Sequence, residues 1–295
     1  MEDLNRIKHY LILALLAIAT LATSCHKENT NEPIGRAKVT VSVNDFSITT
    51  EDFPTKDAVA SYTGVKAMTL AFFDAQGNEI YNTTQLRADN TTYTTFGEFS
   101  TELPLGSYTM IALGYGSEQP MTVNSATSAT YTADRVRETF VASQAVNVTS
   151  TNPLSLSAEL SRVVSKVIVR STDNRPVGVD SVRVTFAAGG RGVNPQTGLS
   201  TTNNGLSNCV AISTAVGAES STISYLFLAS DQQTMNLTVE TIKPNGTVYS
   251  TRTVADVPLQ RNKITVVQGP MYSTASGASF TVSTSWIGDT TRVNF

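Results

Sequence analysis

Short runs in which apolar and polar residues alternate recur along almost the whole chain, and this period of two limits its fold most. Val39-Thr-Val-Ser-Val43 alternates strictly, so Val39, Val41 and Val43 line one face of an extended strand. The signature returns at Val65–Phe73, Leu103–Leu113, Leu160–Val169, Val182–Phe186, Ile223–Leu228, Leu237–Val239, Val248–Val254 and Lys263–Val267. Near the C-terminus Phe280, Val282 and Trp286 share a face, with Thr284 as a polar gap. Turn signals separate the runs. Asp74-Ala-Gln-Gly77-Asn78 predicts a hairpin leading into Glu79-Ile-Tyr81, and Pro244-Asn-Gly246 predicts a turn between two later strands. No segment keeps a 3.6-residue period for three turns, so helices are predicted to be minor. Arg135–Phe140 reads as a short helix, and the Ser/Thr/Ala-rich span Thr122–Thr132 reads as a loop. Many short strands with regular turns predict an all-β chain built from β-sandwiches. A seam at Asn152-Pro153 divides it into residues 37–155 and 156–295.

Polarity comes from an unusual source. Only 15% of the 295 residues are charged and 40% are hydrophobic, so Ser, Thr and Asn supply the rest of the polar surface. A charged helical protein and a disordered chain are both excluded by that balance, which suits an extracellular β-protein. The net charge is −3 and the Lys and Arg residues are scattered, so nucleic acid is not an expected partner.

Histidine is scarcer still. The chain holds two, His9 and His26. Neither is placed to act as the base of a Ser-His-Asp or Cys-His system, and a His-based zinc site is excluded with them. Gly189-Gly-Arg-Gly192 lacks the Lys-Ser/Thr of a phosphate loop and reads as a turn. The expectation is a protein with no catalytic residues, no metal and no cofactor, although an Asp/Glu pair meeting in space stays open to carboxylate chemistry.

The N-terminus reads as an address. Arg6 and Lys8 precede an apolar run from Tyr10 to Ala22, the charged and hydrophobic regions of a secretory signal. That run is too short to cross a hydrocarbon core, which needs about 20 apolar residues. Leu21-Ala-Thr-Ser-Cys25 resembles the lipobox of bacterial lipoproteins, with Ala22 where Leu is commoner. The likeness implies removal of residues 1–24, acylation of the Cys25 thiol and a tether over 25–36. Acyl chains would then hold the protein on a membrane. Cys209 is left without an intramolecular partner and reads as a small buried hydrophobe, with a reactive thiol as the alternative.

Taken in order, the motifs resemble a family. The lipobox and tether are followed by Phe73-Asp-Ala-Gln-Gly77 and Leu103-Pro-Leu-Gly-Ser-Tyr108. Then come Leu160-Ser-Arg162 with Lys166-Val167, and Val257-Pro-Leu-Gln-Arg-Asn-Lys263 with Gly269. This series is similar to the fimbrillins, subunits of type V pili exported as lipoproteins by Gram-negative anaerobes. The resemblance implies two transthyretin-like β-sandwich domains and a structural role at the outer membrane and cell surface. It implies other pilus subunits as partners, the outer membrane as anchor and host surface receptors as targets of adhesion.

It also implies a trypsin-like cut that removes an N-terminal strand, and a groove filled by a strand of the next subunit. Two cut sites follow. Cleavage after Arg36 removes only the tether, whereas cleavage after Lys56 also removes the Val39–Val43 strand. The donor would be the C-terminal segment with its Phe280, Val282 and Trp286 face; the other reading makes this the ordinary last strand of the second domain. Shaft, anchor and tip subunits are not separated by these motifs. The competing function is a surface glycan-binding lipoprotein, for which one Trp and 7% aromatic residues are thin support.

Overall fold

The computed structural model describes residues 35–49, 54–58, 62–274 and 279–286. Among them the chain is all strand, turn and loop, without a helix. The signal, the lipobox with Cys25 and the tether before Gly35 lie outside the described residues. The first half contributes β1 (Arg36–Thr49), β2 (Pro54–Ala58), β3 (Ala67–Asp74), β4 (Glu79–Leu86), β5 (Glu98–Pro104) and β6 (Gly106–Tyr115). After them come β7 (Thr122–Ser125), β8 (Ser128–Thr130), β9 (Thr139–Val148) and β10 (Leu154–Arg162). The second half contributes β11 (Ser165–Ser171), β12 (Ser181–Phe186), β13 (Gly192–Val193), β14 (Leu206–Ala211) and β15 (Ser221–Leu226). It ends with β16 (Gln232–Ile242), β17 (Val248–Gln260), β18 (Lys263–Gly269) and β19 (Thr281–Trp286).

An eight-stranded sheet runs β2-β1-β10-β9-β6-β3-β4, with β5 also paired to β1. It curls until β5 returns to β4. There the buried Gln85 carboxamide takes the place of a ladder rung, donating to the Glu98 carbonyl at 2.6 Å and accepting from Gly97 N–H at 2.8 Å. One core fills the inside of this curl. Val39, Val41 and Phe46 of β1 meet Met68, Leu70 and Phe72 of β3 and Phe140 of β9 there.

The opposite face of β3, with Ala67, Ala71 and Phe73, joins a second core that extends through the C-terminal sheets. Burial on both faces explains why β3 reads as a continuous apolar run instead of an alternation. The predicted Asp74 hairpin forms between β3 and β4. The Asp74 carboxylate accepts from the N–H groups of Gln76 and Asn78 and from the Asn78 amide, and Gly77 takes the positive φ of 84° that the turn needs.

The second half forms two four-stranded sheets, β15-β11-β18-β19 and β14-β12-β16-β17, whose inner faces share the second core. The seam predicted at Asn152-Pro153 falls between β9 and β10, and both belong to the first sheet. The chain leaves that sheet only after Arg162. Two local expectations are corrected. Thr122–Thr132 is no loop: β7 and β8 form a hairpin extended by β13, because Val123 and Ala129 are buried in the second core. Arg135–Phe140 is no helix: the Asp134 carboxylate takes the Arg135 N–H, the Arg137 guanidinium and the Ser117 hydroxyl, and β9 begins at Thr139. A third concerns Cys209, which is exposed and not buried. On β14 the inward positions are Leu206 and Asn208, so Cys209 takes the outward phase.

Candidate functional site

The feature that sets this molecule apart lies at β1. Strand β1 is internal through its middle, paired on both sides from Val39 to Ser42 and again from Asp45 to Ser47. One side pairs in parallel with β10, from Val39 opposite Leu154 to Ser47 opposite Ser161. The other side pairs antiparallel with β5 from Arg36 to Ser42, then with β2 from Asp45 to Thr49. The strict alternation of the sequence places Ala37, Val39, Val41 and Val43 against the inner core. Past Val43 a bulge shifts the register, and the extra residue turns Phe46 into the same core.

Phe46 completes an aromatic group. Its ring lies 4.7 Å from Phe140 and 5.7 Å from Tyr62, which are themselves 5.8 Å apart. Polar groups hold the outer rim. The Tyr62 hydroxyl donates to Glu138 at 2.6 Å, and the Glu138 carboxylate is 2.8 Å from the buried Arg162 guanidinium, which sits 5.0 Å over the Phe140 ring. Burial, then the hydrogen bond to the Glu138 carboxylate, pushes the Tyr62 phenol far above its usual ionisation range.

The predicted processing sites lie at the two ends of this element. Arg36 is the first residue of β1; it is exposed, and its guanidinium donates to the Glu102 carbonyl at 3.2 Å. A cut after it leaves Ala37 to Phe46 seated. Lys56 belongs to β2, the outermost strand of the sheet, opposite Ser47 of β1. A cut after it would sever all of β1 from the chain that follows, leaving it held only by its pairing and packing. The predicted donor segment lies in a different sheet. Strand β19 pairs antiparallel with β18, from Thr281 opposite Gln268 to Trp286 opposite Lys263, and among the described residues its far side is unpaired. Phe280 and Val282 are half-buried against the second core, where the Phe280 ring covers Gly269 so closely that a Cβ there would lie 2.7 Å from it. The segment therefore takes the place of an ordinary last strand in its own chain. The Trp286 side chain is outside what is described.

Tyr62, Phe140 and Gly114, which line the Phe46 position, were not marked by the sequence. The available signal was the break of period between Val43 and Phe46. Two surface clefts of about 540 Å³ lie elsewhere on the described residues. One is lined by Arg135, Arg137, Arg191 and Cys209, the other by Thr40, Tyr81, Tyr93 and several threonines. Among the described residues no group of His, Cys, Asp or Glu could hold a metal ion.

No protein of curated function matches this chain. Among solved structures it is similar to the fimbrial anchor protein Mfa2 from Porphyromonas gingivalis, at 13% identity and a TM-score of 0.48, over 84% of this chain and 95% of that one. It is also similar to the C-terminally truncated tip fimbrial protein Mfa3 from the same organism, at 11% identity and a TM-score of 0.39, over 84% of this chain and 99% of that one. Residues 117–294 match the family of unknown function DUF6562, and the chain belongs to that family.

Proposed function

We propose that this protein is a structural subunit of a cell-surface fimbrium, exported as a lipoprotein on Cys25 and assembled by strand exchange. One observation carries the reading: the first strand fills an internal slot, and the cut after Lys56 would free it. Loss of β1 would unpair β10 and one side of β5 and uncover the inner core. Each valine or phenylalanine side chain so exposed forfeits roughly 1.5–3 kcal/mol of burial. A slot of that kind is unstable empty and demands a replacement strand. Main-chain hydrogen bonds then supply affinity, and alternate side chains supply specificity. Because slot and donor lie on different sheets, the contact is head-to-tail and extends into an open filament. Other subunits are the partners, the outer membrane is the anchor of the unprocessed form, and adhesion follows from the filament; no catalytic step is involved.

The test is the N-terminus and intact mass of the protein from native cells, with gel analysis of unboiled samples. A chain beginning at Asp57, accompanied by a ladder of multimers, is the expected result. A chain that begins at acylated Cys25 in every sample, without a ladder, would overturn polymerisation.

A second reading is favoured by the cleft between Tyr81 and Tyr93, whose rings and surrounding threonine hydroxyls suit a neutral sugar. Retardation of the intact protein in polysaccharide gels, lost on Tyr93→Ala, would support that glycan-binding role. Unchanged migration in every polysaccharide would remove it.

A further inference from the structure

We propose that the slot of β1 selects its incoming strand through an aromatic side chain, and that Trp286 of a second copy supplies it. The inference rests on the strand-exchange reading above and adds what the slot recognises. Phe46 is the only ring that β1 places in the core, and it enters a notch whose walls belong to other elements. Tyr62 follows β2, Phe140 lies on β9 and Leu160 on β10. These walls stay when β1 leaves.

The floor of the notch is a glycine. Gly114 on β6 does not take a positive φ, so its missing side chain is a matter of space and not of backbone conformation. A Cβ there would lie 3.0 Å from the Phe46 ring, 3.2 Å from the Leu160 side chain and 3.5 Å from that of Val65. The recess left by that absent methyl is what the ring occupies. Its rim is fixed by the Tyr62–Glu138 hydrogen bond and the Glu138–Arg162 ion pair, so the notch keeps its width without Phe46. An aliphatic side chain would leave part of it void, while a flat ring matches both its depth and the faces of its aromatic walls.

The last strand matches this demand. Counted along one face, β19 offers Val282, Thr284 and Trp286 where β1 offers Val41, Val43 and Phe46. Valine meets valine, threonine meets its near-isostere and the sole tryptophan meets phenylalanine. The bulge that gives β1 an extra residue before Phe46 is not needed by a regular strand, in which alternate residues already share a face. The direction of β1 is kept, because reversing the same three-position match would put Trp286 at the fully buried Val41 position. That site holds a side chain less than half its size.

The test adds synthetic peptides spanning residues 279–290 to the chain trimmed after Lys56, its start verified by mass. Native mass spectrometry then follows the exchange of the retained β1 fragment for peptide. The wild-type peptide is expected to exchange, and Trp286→Ala to exchange about tenfold less or worse, the loss typical of a truncated aromatic anchor. Phe280→Ala should change exchange less than Trp286→Ala, and Trp286→Phe should restore most of it. Equal exchange by wild-type and Trp286→Ala peptides would overturn the aromatic selection while leaving strand exchange standing. A greater loss with Phe280→Ala would overturn the assignment of Trp286. No exchange by any peptide would overturn both, and because the acceptor chain is unaltered, misfolding of a variant cannot produce these patterns.

Discussion

The first and last described strands are built from the same alphabet of alternating Val, Thr and aromatic residues, yet they are held very differently. Strand β1 is paired on both sides through its middle and buries the side chains of Ala37, Val39, Val41, Val43 and Phe46. Among the described residues strand β19 is paired on one side, and Val282 within it and Phe280 just before it are half-buried. Alternation therefore specifies that a segment is a strand with one apolar face, but not how much the fold depends on it. Dependence comes from position in the sheet. An internal strand is costly to lose, and an edge strand can leave at small cost; a strand-exchange subunit needs one of each.

Truncation at the two strands gives the largest contrast. Phe46→Ala is expected to destabilise by about 3–5 kcal/mol, since it removes a fully buried ring from a well-packed site. Val282→Ala, half-buried at an edge, is expected to cost about 1 kcal/mol or less. Denaturant unfolding of the two variants measures both. Equal costs would break the comparison and place β19 on the same footing as β1. A slightly smaller effect is expected at the rim of the slot. Glu138→Gln leaves the Arg162 guanidinium buried without its carboxylate, at a cost of about 3 kcal/mol. The contacts it disturbs centre on Tyr62 and Arg162, so hydrogen exchange should quicken most in β1 and β10 and least in β19, the strand farthest along its sheet from Arg162 and its partner Asn262.

Packing against the floor sharpens the point further. Gly114→Ala brings a methyl to 3.0 Å from the Phe46 ring and is expected to cost about 1–3 kcal/mol. In a Phe46→Leu background the same change should cost less, because the ring it crowds is gone. A double-mutant cycle that gave additive costs would show that Gly114 does not make room for Phe46.

Many of the strands were legible in the sequence because burial on one face writes a period of two that single residues reveal, but β5, β9 and β14 were not, and the run Leu160–Val169 divides between β10 and β11 in two different sheets. The Asp74 and Pro244 turns were legible too, through side-chain capping by Asp74 and through Gly77 and Gly246 with positive φ. Other features were written in contacts instead of periods. The β7–β8 hairpin lies in a span of small polar residues, and only its packing of Val123 and Ala129 against distant partners makes it a strand pair. The aromatic notch joins Phe46, Tyr62, Gly114 and Phe140, which no local spacing connects. Even the slot itself could not be read: the sequence marks Val39–Val43 as a strand, but its parallel pairing with Leu154–Ser161 is a long-range choice. Cys209 shows the same limit, since the phase of β14 is set by the partners that bury Leu206 and Asn208.

The alkaline limb of the stability curve reports on the same rim. In the unfolded chain a tyrosine ionises near pH 10. In the folded chain burial and Glu138 hold the Tyr62 proton to higher pH, so above about pH 10 the unfolded state loses its proton first. The folded state then binds more protons than the unfolded one, and stability falls as pH rises. Tyr225, raised by burial to about 12, adds to the fall. Tyr62→Phe should make the decline shallower above pH 10, and an unchanged slope in urea titrations across that range would remove Tyr62 from the account.

The smallest expected effect is at Arg36, and it bears most directly on processing. Its side chain is exposed and makes one hydrogen bond to a backbone carbonyl, so Arg36→Ala should alter stability by no more than about 0.5 kcal/mol. If trimming occurs after Lys56, Arg36→Ala leaves both the processed N-terminus and the multimer ladder as they were, while Lys56→Ala abolishes the ladder. If Arg36→Ala alone abolished it, the cut would fall before Ala37 and β1 would remain in its slot. The subunit would then have no vacancy to fill, and the reason for an internal first strand would have to be sought in stability instead of assembly. A change that leaves the folded state almost untouched thus separates the two roles of β1 more cleanly than any core substitution.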